Sequence, residues 1–135
     1  MSAVLVDSNV LLDVITQDAR WFSWSSVALE DASNTSRLLI NPVIYAEVSM
    51  HYSNIEELDD ALAPDALSRE HIPYEAAFLA GKVFLQYRRR GGVRERPLPD
   101  FFIGAHAAIA GYSLLTRDVA RYRTYFPRLQ LIAPD

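Results

Sequence analysis

An α/β fold with a mostly parallel central sheet and helices on both faces is what this sequence predicts, and three observations carry that prediction. Short apolar runs recur along the chain at Val4-Leu5-Val6, Leu38-Leu39-Ile40, Ser113-Leu114-Leu115 and Leu129 to Ile132, each the length of a strand rather than a helix. Segments with helical spacing separate them, and strands alternating with helices imply parallel pairing. The first run is apolar at every position instead of alternating, which marks a strand buried on both faces and central in the sheet.

Composition bounds the rest. The chain has 135 residues, enough for one domain with a real core. Half of its residues are hydrophobic and 22% are charged, which excludes a disordered chain. There is no cysteine, so neither a disulfide framework nor a thiolate metal site can form. The first strand begins after three residues, leaving no room for a signal peptide, and no apolar run is long enough to span a bilayer. A cytoplasmic protein with no membrane association is expected. The net charge of −4 argues against passive binding of nucleic acid. Its distribution says more: all basic residues but Lys82 are Arg, many of them in two clusters. One holds Arg88, Arg89, Arg90, Arg94 and Arg96; the other holds Arg117, Arg121, Arg123 and Arg128. A guanidinium fork suits phosphate, although solvated faces also carry such runs.

Taken in order, the first strand stops at Asp7, and Ser8 or Asn9 can cap a helix over Val10 to Ile15. Asp7 itself is the competing cap. Gln17 to Arg20 forms a loop. Trp21, Trp24, Ala28 and Ala32 then recur at helical spacing beside Val27, a stripe expected to face the core. Ser33-Asn34-Thr35 turns the chain into the strand Leu38 to Ile40. Asn41-Pro42 starts a helix with Pro in its first turn, expected to run from Val43 to about Tyr52. Ile55 to Leu62 is a short acidic helix stopped by Pro64, and Leu67 to Ile72 fits an edge strand closed by Pro73. Tyr74 to about Arg90 makes the longest helix, with Arg88 to Arg90 where the helix dipole favours cations. After a loop over Gly91 to Pro99, Asp100 to Ala110 is a helix of small residues closed by Gly111. The strand Ser113 to Leu115 leads into Thr116-Arg117-Asp118, expected to open a short final helix, and Leu129 to Ile132 ends the sheet. No repeat, low-complexity tract or linker interrupts 1–135, which reads as a single domain.

Four acids stand out against this frame. Asp7 lies at the carboxyl end of the first strand, the edge where open α/β sheets bind ligands. Asp118 repeats the pattern, following an apolar strand and a small hydroxyl residue. Glu47 falls between Val43 and Ile44 on its helix, towards Met50, so it aims from an apolar face to the core. Asp100 opens a helix whose own face carries Ile103, Gly104, Ala107 and Ala108. Two carboxylates about 4 Å apart repel by roughly 4 kcal/mol at an effective dielectric near 20. Gathering four of them therefore calls for a cation, and an all-oxygen donor set selects Mg2+ or Mn2+. The three histidines share no ligand spacing, and His106 points about 120° from Asp100 on its helix, so a zinc site is not expected. Oxygen-bound divalent ions commonly act on phosphate esters.

Four segments now identify a resemblance. Val4-Leu5-Val6-Asp7-Ser8-Asn9-Val10-Leu11-Leu12-Asp13 resembles the opening of PIN-domain ribonucleases, above all the VapC-type toxins of toxin–antitoxin pairs. Asn41-Pro42-Val43-Ile44-Tyr45-Ala46-Glu47-Val48 is similar to their second motif, and Pro99-Asp100-Phe101-Phe102-Ile103-Gly104-Ala105-His106-Ala107 to their third. Leu114-Leu115-Thr116-Arg117-Asp118, continued to Pro127, resembles the fourth. The resemblance covers nearly the whole chain and is weakest over Ser53 to Gly92. It implies a PIN-like three-layer fold in which Asp7, Glu47, Asp100 and Asp118 are catalytic, with Asp7, Asp100 and Asp118 among the metal ligands. It implies hydrolysis of RNA by an activated water, inhibition by a cognate antitoxin protein, and a homodimer. Asn9 and Thr116 match supporting polar positions. Arg88, Arg89, Arg90 and Arg117 are candidates for substrate contact. Two other classes compete. A non-catalytic interaction module could keep the same fold. An aspartyl-phosphate pocket would need a lysine beyond a later strand, whereas Lys82 lies mid-helix.

Overall fold

The computed structural model describes residues 2–94 and 98–135. Arg96, counted above in the first basic cluster, and part of the loop before Pro99 lie outside the described residues. Among the described residues the chain forms five strands and seven helices: β1 (Ser2–Val6), α1 (Ser8–Ile15), α2 (Phe22–Thr35), β2 (Ser36–Ile40), α3 (Pro42–Ser49), α4 (Ile55–Ala61), β3 (Ser68–Arg69), α5 (Tyr74–Arg89), α6 (Pro99–Ala110), β4 (Ser113–Leu115), α7 (Ala120–Tyr125) and β5 (Leu131–Ile132).

The sheet order is β3-β2-β1-β4-β5, and every ladder is parallel. Val4, Leu5 and Val6 of β1 are buried, as are Leu38 to Ile40 of β2 and Leu114 and Leu115 of β4. That burial explains why these strands read as unbroken apolar runs. Crossovers between parallel strands are right-handed. The run β1-β2-β3 therefore carries its helices on one face, and the return through β4 to β5 carries them on the other. β1 sits where the two runs diverge, so its carboxyl end is the switch point of the sheet.

Three local expectations are revised. α1 starts at Ser8, not Val10, because Asp7 rather than Ser8 or Asn9 is its cap: the Asp7 carboxylate accepts the Ser8 N–H at 2.8 Å. α2 continues through Ser33 to Thr35 and passes directly into β2 without a separate turn. Its Trp stripe is only half-buried; Ser25 and Ala32 are the buried residues, and Val27 is 57% exposed. The reason is position, since α2 packs beside α1 and β2 and not across the centre of the sheet. α3 ends at Ser49, so Met50 lies outside it and is 78% exposed; the apolar face expected around Glu47 stops at Val48.

Helix α6 shows why its sequence is rich in small residues. Ile103, Gly104, Ala105, His106 and Ala107 are all buried against neighbouring elements. Gly104 lies so close to Phe126 that a Cβ there would stand 2.5 Å from the ring. Gly111 ends the helix in the left-handed conformation at φ 75°, which glycine adopts without steric cost.

Phe126 is itself buried and can yield little space. Gly104→Ala is therefore expected to cost about 1–3 kcal/mol through overpacking and to lower the melting temperature by several degrees. A thermal melt in which Gly104→Ala matches the wild type would show that the ring moves aside freely.

Candidate active site

Each candidate acid is delivered by the end of a different element. Asp7 follows β1, Glu47 projects from α3, Asp100 sits in the first turn of α6, and Asp118 follows β4. Asp7 lies at the centre and is buried. One of its oxygens, Oδ1, accepts the Ser8 N–H at 2.8 Å. The other, Oδ2, accepts from the Thr116 hydroxyl at 2.9 Å, the Tyr122 hydroxyl at 3.0 Å and Asn9 Nδ2 at 3.4 Å. Burying a carboxylate is costly unless such donors converge on it.

Two hydroxyls extend the group outward. Ser8 Oγ donates to Glu47 Oε1 at 2.8 Å and touches Asp7 Oδ1 at 3.5 Å. The Tyr122 hydroxyl, besides its bond to Asp7, reaches Asp100 Oδ1 at 3.4 Å. Asp100 also pairs with Arg121 at 3.3 Å. The structure thus joins Glu47, Asp7 and Asp100 into one hydrogen-bonded series. Asp118 stands beside it with an exposed side chain, and its backbone N–H donates to Thr116 Oγ1 at 3.1 Å. Asn9 Nδ2 donates to the same hydroxyl at 3.2 Å while its Oδ1 accepts the Arg117 N–H at 3.3 Å. Asn9 and Thr116 therefore clamp the segment after β4 onto the start of α1. That segment bends at Arg117, and the final helix begins only at Ala120, after the Thr116-Arg117-Asp118 expected to open it.

The electrostatics follow from this crowding. Burial, with the charges of Asp100 and Glu47, pushes the Asp7 carboxyl from its ordinary value of 3.8 to about 6, against the lowering effect of Thr116 and Tyr122. Burial and the charge of Asp100 raise Glu47. Burial raises Asp100 as well, with Arg121 opposing and Asp118 adding to it. The Tyr122 phenol, buried between Asp7 and Asp100, is raised well above 10 and stays a neutral donor. Among the described residues, no three acid or imidazole side chains stand close enough together to enclose a metal ion as they are. The acid oxygens are turned to Ser8, Thr116, Tyr122 and Arg121. The donor chemistry still fits a hard divalent cation: the oxygens are carboxylate and hydroxyl, and each acid gains by an added positive charge.

The remaining candidates have other partners. Arg117 Nε donates to the buried Asp13 at 2.7 Å, and its guanidinium lies over the Trp21 ring at 5.5 Å. Arg88, Arg89 and Arg90 are exposed at the end of α5; Arg88 bonds the Arg94 carbonyl, and Arg90 lies 5.2 Å over the Tyr125 ring. Tyr125 in turn meets Phe101, the neighbour of Asp100, at 5.3 Å, so this basic patch borders the acid cluster. His106 is buried and engaged elsewhere, by Asn41 at 3.0 Å and Glu70 at 3.3 Å. Lys82 lies over Phe78 on the exposed side of α5, with no contact to Asp7. Sequence reasoning missed Tyr122, Ser8 and Arg121 as members of the site. The signal available was slight: Tyr122 falls four residues after Asp118.

A model of the PIN domain family matches residues 4–127. No curated protein is a significant match to the sequence. Solved structures share the fold at low identity. VapBC2 from Rickettsia felis, bound to a promoter DNA fragment, aligns with a TM-score of 0.75 and 17% identity over 98% of this chain and 99% of that one. VapBC-1 from nontypeable Haemophilus influenzae aligns at 0.73 and 18% over 97% of each chain. A toxin–antitoxin complex from Klebsiella pneumoniae aligns at 0.69 and 21% over 98% of each.

Because its folded value lies above its unfolded one, Asp7 destabilises the metal-free protein as its proton is lost. The displacement from 3.8 to about 6 corresponds to roughly 3 kcal/mol of preference for the protonated form. This contribution is present in full below pH 4 and is lost as pH rises through about 6. Asp7→Asn keeps the cap and removes the charge, so with chelator it should melt a few degrees above the wild type at pH 7.5. At pH 4.5 the gap should be much smaller. A gap that is absent at pH 7.5, or that widens on acidification, would refute this account of Asp7.

Proposed function

The chain belongs to the PIN domain family, and from that premise we propose that it is a divalent-metal-dependent endoribonuclease acting as the toxin of a type II toxin–antitoxin pair. One observation carries the reading: Asp7, Glu47 and Asp100 meet in a single hydrogen-bonded series at the switch point of a parallel sheet, with Asp118 at its rim. No other group of acids among the described residues is drawn together in this way.

In this proposal Asp7, Asp100 and Asp118 hold Mg2+ or Mn2+. A divalent ion held by these residues would supply charge stabilisation to a phosphodiester and would lower the pKa of a bound water. Glu47, half-buried and raised above its ordinary value, accepts the proton of that water. Asn9 and Thr116 keep Asp7 and the Asp118 segment in register. Arg121 beside Asp100, and the exposed Arg88 to Arg90 beyond Tyr125, present positive charge to an RNA backbone arriving at an otherwise acidic cleft. The product would carry a 3′-hydroxyl and a 5′-phosphate. A single-stranded loop is the substrate form such an edge can admit.

The toxin–antitoxin complexes that share the fold support an antitoxin as the protein partner. Exposed apolar residues on two helices, Phe22 and Val27 on α2 and Tyr74, Phe78 and Leu85 on α5, give an antitoxin or a second copy surface to cover. No helix among the described residues is long and apolar enough to cross a membrane.

Cleavage of single-stranded RNA should require Mg2+ or Mn2+, respond poorly to Ca2+ and stop on chelation. Asp7→Asn and Asp100→Asn should lower it at least a hundredfold and abolish the rise in melting temperature that millimolar metal gives the wild type. Cleavage that persists in excess chelator, or a wild type whose melt ignores both ions, would end the proposal. Replacing Arg88, Arg89 and Arg90 with Ala should weaken RNA binding without moving the cut site. Each lost phosphate contact should flatten the salt dependence by about 0.7 in log–log slope. An unchanged slope would return these arginines to a solvated face.

A further inference from the structure

Resting on the metal-site reading above, we propose that Tyr122 is a positioning residue for the acid cluster: its phenol holds Asp7 and Asp100 in the mutual orientation in which they share a divalent cation. Tyr122 is 1% exposed, so its hydroxyl must find a partner inside the protein or forfeit the bond it would make to water. It donates to Asp7 Oδ2 at 3.0 Å, and Asp100 Oδ1 at 3.4 Å is a second, longer acceptor that shares the same proton. α7 supplies the phenol, the end of β1 supplies one carboxylate and the start of α6 the other. Three elements far apart in the chain are thus referred to a single oxygen atom.

The packing of the ring does not require that oxygen. A phenylalanine would fill the same buried space, so the hydroxyl is present for what it bonds. Its one proton lies nearer Asp7, where Thr116 also donates to the same oxygen. Asp100 has a competing attraction in Arg121, whose Nη1 stands 3.3 Å from Oδ2. With the phenol in place, Asp100 keeps its other oxygen beside Asp7 instead of swinging fully to the arginine. Groups that orient metal-binding carboxylates in this way usually matter about tenfold to a hundredfold in metal affinity.

Tyr122→Phe removes the hydroxyl and leaves the ring. Calorimetric titration with Mn2+ alone, without RNA, should give a dissociation constant at least about tenfold weaker than wild type, while the metal-free protein stays folded and melts a few degrees lower, because the buried Asp7 loses one of its donors. Cleavage by this variant should need correspondingly more Mn2+ for half-maximal rate, with the KM for RNA unchanged and the rate recovered at saturating metal. Tyr125→Phe, which removes a hydroxyl from the same helix that bonds neither carboxylate, should bind Mn2+ as the wild type does. In wild-type protein labelled at the tyrosine ζ carbons, the Tyr122 signal should move as Mg2+ saturates the site, a readout that needs no variant to fold. Equal Mn2+ affinity in Tyr122→Phe and wild type, or a Tyr122 signal that ignores Mg2+ while other site signals respond, would overturn the role given to Tyr122 and leave the metal site standing. A wild type that binds neither ion would overturn both.

Discussion

A buried carboxylate at the end of the central strand is the constraint on which the rest of this structure depends. Asp7 cannot be left unpaired inside the protein, because an ion without partners in a medium of low polarity costs several kcal/mol. The chain offsets part of that cost with donors drawn from three regions: the first N–H of α1, the hydroxyl of Thr116 after β4, and the phenol of Tyr122 in α7. Each bond also fixes where its own segment runs. Capping starts α1 at Ser8, the Thr116 bond holds the segment after β4 against β1, and Tyr122 brings α7 over the sheet edge. A helix cap and a member of an acid cluster are usually alternatives; Asp7 is both, using one oxygen for the cap and the other for the cluster.

Around that centre lie two polar systems that keep the elements from shifting. Asn41 caps α3 by accepting the Ile44 N–H on Oδ1, which turns its amide nitrogen towards His106. His106 Nδ1 must then accept, so Nε2 carries the proton and donates to Glu70. Tyr112 donates to the same Glu70 carboxylate at 2.7 Å. The helix that carries Glu47 is thereby tied to α6, which carries Asp100. On the other side, Asp13 in the last turns of α1 accepts from Ser25 of α2 and from Arg117. Both systems add directional bonds between packed elements, whose apolar contacts specify orientation weakly.

Basic residues border the acid cluster, and that border is built on aromatic rings. Tyr87, Phe101 and Tyr125 meet edge to face, with Arg90 over Tyr125 and Arg121 within 5.9 Å of Phe101. Rings of this kind hold guanidinium groups in place without neutralising them. In the proposed nuclease, an RNA backbone would find this positive charge beside the carboxylates.

Most of the fold was legible because its signals are local. Apolar runs buried on both faces named β1, β2 and β4; Asn41-Pro42 and Gly111 marked helix ends at which the backbone needs those residues. The placement of Asp7 and Asp118 after strands was legible from their neighbours, whereas Asp100, in a first helical turn where acids are common, stood out only through the order of motifs. The half-burial of the Trp21 to Ala32 stripe was not legible, since periodicity says which residues share a face but not what that face meets. The role of Arg117 was equally hidden, because its partner Asp13 lies 104 residues away. The sequence by itself determined the alternation of strands and helices, the parallel sheet and the acids at its carboxyl edge, all of which follow from neighbours a few residues apart. Only the tertiary structure decided that Ser8 and Tyr122 would link those acids, and which oxygen of Asp7 each would take, because such bonds join residues as much as 115 positions apart and exist only once the elements are packed.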